Sequence, residues 1–115
     1  MSKDCLFCKI IAGLIPSNKV YEDEDIYAFH DINPAAPTHI LVIPKKHLSA
    51  VNQASPDDAS LLGRLILAAN NITEQQALST DGFRYVINTG NNGGQTVYHL
   101  HLHILGGRHM AWPPG

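Results

Sequence analysis

The sequence predicts an α+β fold with a five-stranded antiparallel sheet, one short helix and one long helix. One short helical segment precedes three β-like segments, and a long amphipathic segment separates these from two further β-like segments. This order of grouped strands is typical of an antiparallel sheet with helices packed beside it. No internal repeat or linker interrupts the 115 residues, so we expect one domain over residues 1–115.

The first half of the chain supplies the short helix and three strands. Cys5–Ala12 predicts a helix that ends before the next glycine. Val20–Glu22 and Ile26–His30 flank an acidic turn and predict a hairpin. The apolar, β-branched segment His39–Pro44 predicts a central strand. The proline-rich loop 31–37 needs another segment or a ligand to hold it.

The long helix has a clear start. Ser55 is expected at the N-cap and Pro56 at the first helical position, with Asp58 in a capping box. We expect this helix to end near Ala77-Leu78. The apolar stripe that should face the sheet consists of Leu61, Leu62, Leu65, Ile66, Ala69 and Ile72.

The last two predicted strands are Phe83–Asn88 and Tyr98–Leu105, and a flexible glycine-rich loop joins them. In the second strand His99, His101 and His103 alternate with apolar residues, so the three imidazoles should share one face of the sheet. Such a stripe fits three explanations: histidines whose polar atoms are all hydrogen-bonded within the protein, a metal site, or covalent catalysis by one imidazole. The adjacent glycines offer backbone N–H groups to phosphate oxygens, which favours phosphorus chemistry.

Composition excludes some classes of function. The net charge of −2 argues against a broad nucleic-acid or membrane surface. No apolar run is as long as a membrane span, and the N-terminus lacks the apolar core of a signal peptide. The expected location is therefore the cytoplasm. In that setting Cys5 and Cys8 are a redox pair, a metal half-site or two buried thiols.

The histidine segment resembles the signature of the histidine-triad (HIT) nucleotide-binding proteins. Several flanking segments resemble the HINT branch of that family, and the resemblance runs from about Cys5 to Gly115. These segments are Asp31, Pro37-Thr38-His39, Ile43–His47, Gly93-Gly94-Gln95, Gly106-Gly107-Arg108 and Trp112–Gly115. The resemblance implies the HIT-like fold, with its sheet extended across a homodimer.

The resemblance also implies a reaction, the hydrolysis of purine nucleoside 5′-phosphoramidates. His101 would attack the α-phosphorus and form a nucleotidyl-histidine, and His103 would contact the phosphate and leaving group. His99 and His39 would orient the nucleophile. The alternative function is a nucleotide-binding regulatory or scaffold protein with vestigial hydrolysis, and a histidine-ligated metal enzyme is a third.

For the nucleotide, the resemblance assigns Asp31 to the ribose hydroxyls, whereas without the resemblance an Asx turn is the preferred explanation of this residue. The purine slot would be formed by Leu6, Phe7, Ile10, Phe29, His30 and Ile32. The phosphate would be surrounded by Asn88, Gly94, Gln95 and Thr96. Trp112, in the tail 106–115, would reach the partner's active site.

The family likeness also bears on cofactors. Bacterial members with this Cys-x-x-Cys bind structural zinc, which implies the ligands Cys5, Cys8, His47 and His99. Two semi-buried helix thiols are the alternative. No organic cofactor, nucleic acid or membrane partner is expected.

Overall fold

The computed structural model describes residues 4–115, and the five predicted strands and two helices are all present there. The first part contains α1 (Leu6–Ile11), β1 (Lys19–Glu22), β2 (Ile26–His30) and β3 (Thr38–Pro44). The second part contains α2 (Ala59–Gln75), β4 (Phe83–Val86) and β5 (Leu102–Gly106). No helix within the described residues is long and apolar enough to cross a membrane.

The strands form one antiparallel sheet in the order β1-β2-β3-β5-β4, so the predicted central strand β3 is indeed central. Alternation along β3 gives the sheet two apolar faces. Ile40 and Val42 lie in the cluster that packs against α2, whereas Leu41 and Ile43 lie in the cluster with α1. Both faces of β3 are therefore buried, which explains its continuous apolar sequence.

The histidine segment is less regular than predicted, because β5 begins at Leu102 and not at Tyr98. Pairing with β3 begins at Val42 opposite Leu102. Before that point the carbonyl of Pro44 accepts a hydrogen bond from the His99 side chain at 2.8 Å, and the Leu100 N–H donates to the carbonyl of Leu48 at 2.6 Å. These two hydrogen bonds take the place of strand pairing in the segment before Leu102. The alternation of faces survives, since Leu100, Leu102 and Ile104 all pack in the α2 cluster.

The long helix also differs at both ends. Pro56–Asp58 forms a 3₁₀ turn that leads into α2, and the Asp58 carboxylate accepts the Ser55 N–H at 3.0 Å, as the capping prediction required. The helix ends at Gln75 and not near Leu78. Ala77 adopts a left-handed φ of 57°, and the Leu78 N–H turns back to the carbonyl of Thr73 at 3.0 Å.

Two further boundaries are shorter than predicted. The short helix covers Leu6–Ile11, because Cys5 is its N-cap: the Cys5 sulfur accepts the Cys8 N–H at 3.2 Å. β4 ends at Val86 and not at Asn88, because its last partner on β5 is His103.

Candidate functional site

A cavity of about 310 Å³ opens on the α1 side of the sheet, and it is within the size range of small-ligand sites. The predicted site residues that line it are Leu6, Phe7, Ile10, Phe29, His30, Asp31, Ile32, Thr96, His101 and His103. Ile15, Pro16, Ser17, Asn33, Leu41 and Val97 complete the lining. The predicted purine slot and two of the triad histidines therefore meet in one cavity.

His101 is held in a single tautomer. Its Nδ1–H donates to the carbonyl of His99 at 2.7 Å, so Nε2 keeps its lone pair. The residue is buried, and the Phe7 ring meets the imidazole edge to face with the ring centroids 5.2 Å apart. Burial lowers the pKa of His101, which favours the neutral form. A neutral imidazole with an accessible lone pair can act as a nucleophile.

His39 and His103 form a hydrogen-bonded pair whose proton positions are set by the backbone. The Ala35 N–H donates to His39 Nδ1 at 2.9 Å, so the proton of neutral His39 must lie on Nε2. His39 Nε2–H in turn donates to His103 Nδ1 at 2.8 Å. His103 therefore carries its own proton on Nε2.

The Nε2–H of His103 is an unused donor. Among the described residues, this atom is the buried side-chain nitrogen or oxygen that lacks a hydrogen-bond partner. Burial, followed by the neighbouring His101 and His39, lowers the pKa of His103 to about 4. A buried donor without a partner is costly, and a ligand that accepts its hydrogen bond removes that cost.

Asp31 lies beside the His39–His103 pair, and its carboxylate has two contacts. One carboxylate oxygen accepts the Asn33 N–H at 2.8 Å, which is the Asx turn. The other lies 3.4 Å from His39 Nε2. The carboxylate remains partly exposed and lines the cavity, so it can also accept hydrogen bonds from a ligand.

The glycine-rich loop is held by Gln95 rather than left open. The buried Gln95 amide donates to the carbonyl of Ser49 at 2.7 Å and accepts the Gly90 N–H at 3.0 Å. A Cβ on Gly93 would collide with the Thr89 backbone, so this position requires glycine. Among the residues predicted to surround the phosphate, Thr96 lines the cavity, whereas Asn88, Gly94 and Gln95 do not. Trp112 also lies outside the cavity lining and is 81% exposed.

The four predicted metal ligands lie close together around His99 Nδ1. His99 Nδ1 lies 3.2 Å from the Cys5 sulfur, 3.6 Å from the Cys8 sulfur and 3.1 Å from His47 Nδ1. His99 Nε2–H donates to the carbonyl of Pro44, which leaves Nδ1 free of its proton and directed at the cluster. Burial lowers the pKa of His99 to about 4, and a metal requires this neutral form. These four side chains are close enough to hold one metal ion.

A second group, formed by Asp31, His39 and His103, has comparable spacing but different proton positions. A metal held by His39 Nε2 would move the His39 proton to Nδ1. That nitrogen already faces the Ala35 N–H at 2.9 Å, so two donors would oppose each other. The hydrogen bonding therefore favours N–H groups and no metal in the group of Asp31, His39 and His103, and it favours a metal in the cysteine-containing group.

Several backbone groups that set these proton positions leave no signal in the sequence. The Ala35 N–H and the carbonyls of Pro44 and His99 act through atoms that every residue possesses, apart from the N–H that proline lacks. Arg108, which donates to the Ala35 carbonyl at 3.0 Å, was part of a recognised motif, but no role was predicted for it.

Comparison with known proteins places these features in a family. The HIT domain profile matches residues 12–110. An uncharacterized HIT-like protein of Synechococcus elongatus is 54% identical over the whole of both chains. A crystal structure of a HIT family hydrolase from Legionella pneumophila superposes with a TM-score of 0.96 at 52% identity, covering 97% of this chain and all of that one.

A histidine triad nucleotide-binding protein from Candida albicans has a TM-score of 0.83 at 34% identity, covering 96% of this chain and 83% of that one. The matched profile includes the triad and its partner His39, and the relatives at 52% and 54% identity cover the described fold from end to end. The predicted HIT-like fold is therefore confirmed, and the chain belongs to the HIT domain family.

Proposed function

We propose that this protein is a HINT-branch hydrolase that cleaves the P–N bond of purine nucleoside 5′-phosphoramidates through a nucleotidyl-histidine intermediate. The observation that carries the proposal is that two histidines in one cavity hold their protons on different ring nitrogens. His101 keeps a lone pair on Nε2, and His103 holds an unused Nε2–H donor. The names of the Legionella and Candida relatives, a hydrolase and a nucleotide-binding protein, support the same reaction class.

In the first step His101 Nε2 attacks the α-phosphorus, so that an N–P bond to histidine forms and the P–N bond to the amine breaks. The departing nitrogen needs a proton, and neutral His103 cannot give up its only proton without forming an unstable anion. The bound phosphate is negatively charged, and it raises the pKa of the His39–His103 pair above the value in the free protein. A proton therefore enters with the substrate, and it opens one hydrogen bond of the Ala35–His39–His103 chain, because both Nδ1 lone pairs already accept an N–H. His103, once positively charged, passes its Nε2 proton to the leaving amine.

In the second step water attacks the same phosphorus and displaces His101, which releases the nucleoside monophosphate. His103, now neutral, accepts a proton from the attacking water as that bond forms. The His101 Nδ1–H bond to the His99 carbonyl holds the ring in place through both steps. His103 gives up the proton taken from water when the nucleoside monophosphate leaves, so every histidine returns to its starting protonation state.

Recognition of the nucleotide would use the rest of the cavity. Phe7, Phe29 and Leu41 give one wall an apolar and aromatic surface suited to a purine, and the Asp31 carboxylate suits the ribose hydroxyls. We assign Leu6, Ile10, His30 and Ile32 to the same slot. Thr96 lines the cavity, and its hydroxyl would contact the phosphate. Backbone N–H groups near Gly94 and Gln95, with Asn88, would complete the phosphate site after the loop adjusts.

We propose zinc as the metal of the four-residue cluster. Two thiols and two imidazoles form the donor set of closed, structural zinc sites, and the deprotonated Nδ1 of His99 fits such a ligand. Zinc bound there would cross-link α1 to the segment that precedes β5. Cys5, Cys8, His47 and His99 would hold it, and no step of the reaction passes through the metal.

We also propose a homodimer that extends the sheet. The outer strand β4 carries the partly exposed side chain of Phe83, and exposed Ile87 follows it, whereas β1 begins with Lys19 and ends with Glu22. An apolar edge favours pairing with a second copy, which would also bring Trp112 toward the partner's cavity. Light scattering should give twice the mass of one chain, and a monomeric mass would contradict the dimer.

The reaction is tested by incubating the wild type and His101→Ala with adenosine 5′-phosphoramidate and measuring AMP release. We expect the variant to lose about 10³-fold or more in kcat, because the nucleophile itself is removed. Equal rates in the two proteins would refute the covalent route. If neither protein hydrolyses the substrate and both bind AMP, the protein is a binding module. Activity that depends on metal added to the His101 cavity would instead indicate a metal enzyme.

A further inference from the structure

Arg108 contacts the loop that carries Asp31, although it lies outside the cavity lining. One guanidinium nitrogen donates to the carbonyl of Ala35 at 3.0 Å, and the other donates to the carbonyl of His109 at 3.1 Å. The neighbouring Gly107 has a φ of 90°, and a Cβ there would lie 2.8 Å from the Pro37 ring. The turn after β5 thus holds the loop at two points, Ala35 and Pro37.

The residue that Arg108 holds is the one that sets the tautomer of His39. The Ala35 carbonyl and the Ala35 N–H flank the same Cα atom, so fixing the carbonyl restricts where the N–H can point. That N–H donates to His39 Nδ1 at 2.9 Å. If this bond were lost, His39 could carry its proton on either nitrogen.

The consequence reaches the cavity through one more hydrogen bond. With its proton on Nδ1, His39 would present a lone pair to His103 Nδ1, and the 2.8 Å contact would then require the His103 proton to lie on Nδ1. His103 Nε2 would become an acceptor and could no longer donate to the leaving group or phosphate. The Ala35 N–H therefore favours the direction in which the histidine pair donates, and the Asp31 carboxylate, 3.4 Å from His39 Nε2, favours the same direction.

We propose that Arg108 is a positioning residue that, by holding Ala35, keeps His39 and His103 in the tautomers that direct an N–H donor from His103 Nε2 into the cavity. This inference rests on the proposed function for its catalytic consequence, but the tautomers themselves can be observed without substrate. Arg108 does not touch the cavity, so it acts only through Ala35 and His39.

The direct test is ¹⁵N NMR of the imidazoles in the wild type, Arg108→Met and Arg108→Lys. In the wild type, His39 Nδ1 and His103 Nδ1 should give the shifts of unprotonated nitrogens, and both Nε2 atoms should give the shifts of N–H nitrogens. In Arg108→Met we expect these shifts to move toward an average of the two tautomers. Arg108→Lys retains one charged donor and should restore them in part.

A matched control is Arg64→Met, since Arg64 is also exposed and hydrogen-bonded but lies on α2, bound to Ser60 and Asp25. It should leave the histidine shifts unchanged. Arg108→Met should also lower kcat toward adenosine 5′-phosphoramidate by about two-fold with little change in KM, because an even mixture of tautomers leaves half of the molecules with the productive donor.

The outcomes separate the two proposals. Unchanged imidazole shifts in Arg108→Met overturn the positioning role, even if the variant is less stable, because a merely structural arginine would alter the melting temperature alone. Mixed tautomers with unchanged kcat would support the control of tautomers and overturn its consequence for catalysis. Mixed tautomers in a protein whose wild type does not hydrolyse the phosphoramidate would support the control of tautomers and refute the proposed reaction. If Arg108→Met does not fold, Arg108→Lys gives the same comparison.

Discussion

At the scale of single residues, the location of each proton decides what a histidine can do in this protein. His99, His101 and His103 occupy equivalent places in one alternating pattern, yet each has a different backbone or side-chain partner. His99 donates through Nε2 to Pro44, His101 donates through Nδ1 to His99, and His103 accepts through Nδ1 from His39. The first therefore presents a lone pair to the cysteines, the second keeps a lone pair on Nε2, and the third has a donor without a partner.

The depressed pKa of His103 has a measurable effect on stability. Its pKa is about 4 in the folded protein and near 6.5 when unfolded, so between these values the unfolded chain binds the extra proton. The free energy of unfolding should therefore fall as the pH drops through 6.5 toward 4. His103→Asn should reduce the decline between pH 7 and pH 5 by about 1 kcal/mol, after allowance for partial exposure.

Chemical denaturation at the two pH values measures this difference. His109→Asn is the control, because His109 is exposed and lines no part of the α1-side cavity. An identical pH dependence in the wild type and His103→Asn would show that His103 is not buried in its neutral form.

At the scale of elements, the site depends on irregular segments that the sheet and helices hold in place. The sequence predicted β2, β3 and α2 well, because their apolar periodicity and the Ser55 cap are local signals. It extended the histidine strand back to Tyr98, since alternation of faces persists there without sheet pairing. The His99–Pro44 bond, which takes the place of pairing there, joins residues 55 positions apart and leaves no local pattern.

The glycine-rich loop yields a prediction at this scale. Gly93→Ala should destabilise the protein and weaken AMP binding, because the new Cβ would collide with the Thr89 backbone and displace the loop. Gly63→Ala is the matched control: Gly63 lies in α2 with open space around its Cβ position, and this change should stabilise by about 0.5–1 kcal/mol.

Thermal unfolding and AMP titration of the two variants measure both effects. A Gly93→Ala protein as stable as the wild type, with unchanged AMP affinity, would show that the loop tolerates a side chain and that its close contact has no bearing on the site.

At the scale of the whole molecule, His99 joins the cavity to the cluster of Cys5, Cys8, His47 and His99. Its side chain contacts the cysteines, and its backbone carbonyl accepts a hydrogen bond from His101 Nδ1–H. The same residue thus connects α1, the end of β3 and His101. The sequence named all four cluster residues through family resemblance, but only the fold shows that His47 and His99 lie on the same side of the sheet as Cys5 and Cys8.

Metal binding should be lost when the thiols are removed. Protein purified with zinc should contain about one zinc ion per chain, and Cys5→Ala/Cys8→Ser should contain almost none. A strong chelator should lower the melting temperature of the wild type and leave the double variant unaffected. His109→Ala is the control and should retain its zinc. Unchanged zinc content in the double variant would remove the cysteines from the site.

The most direct test of the central claim is to trap the covalent intermediate. Wild-type protein mixed with adenosine 5′-phosphoramidate and quenched in alkali, where a histidine phosphoramidate survives, should carry an adenylyl group on the peptide that contains His101. The adduct should form and decay at rates consistent with turnover, and it should be absent from His101→Ala. Turnover without an adduct at His101, or an adduct on another residue in both proteins, would contradict the account.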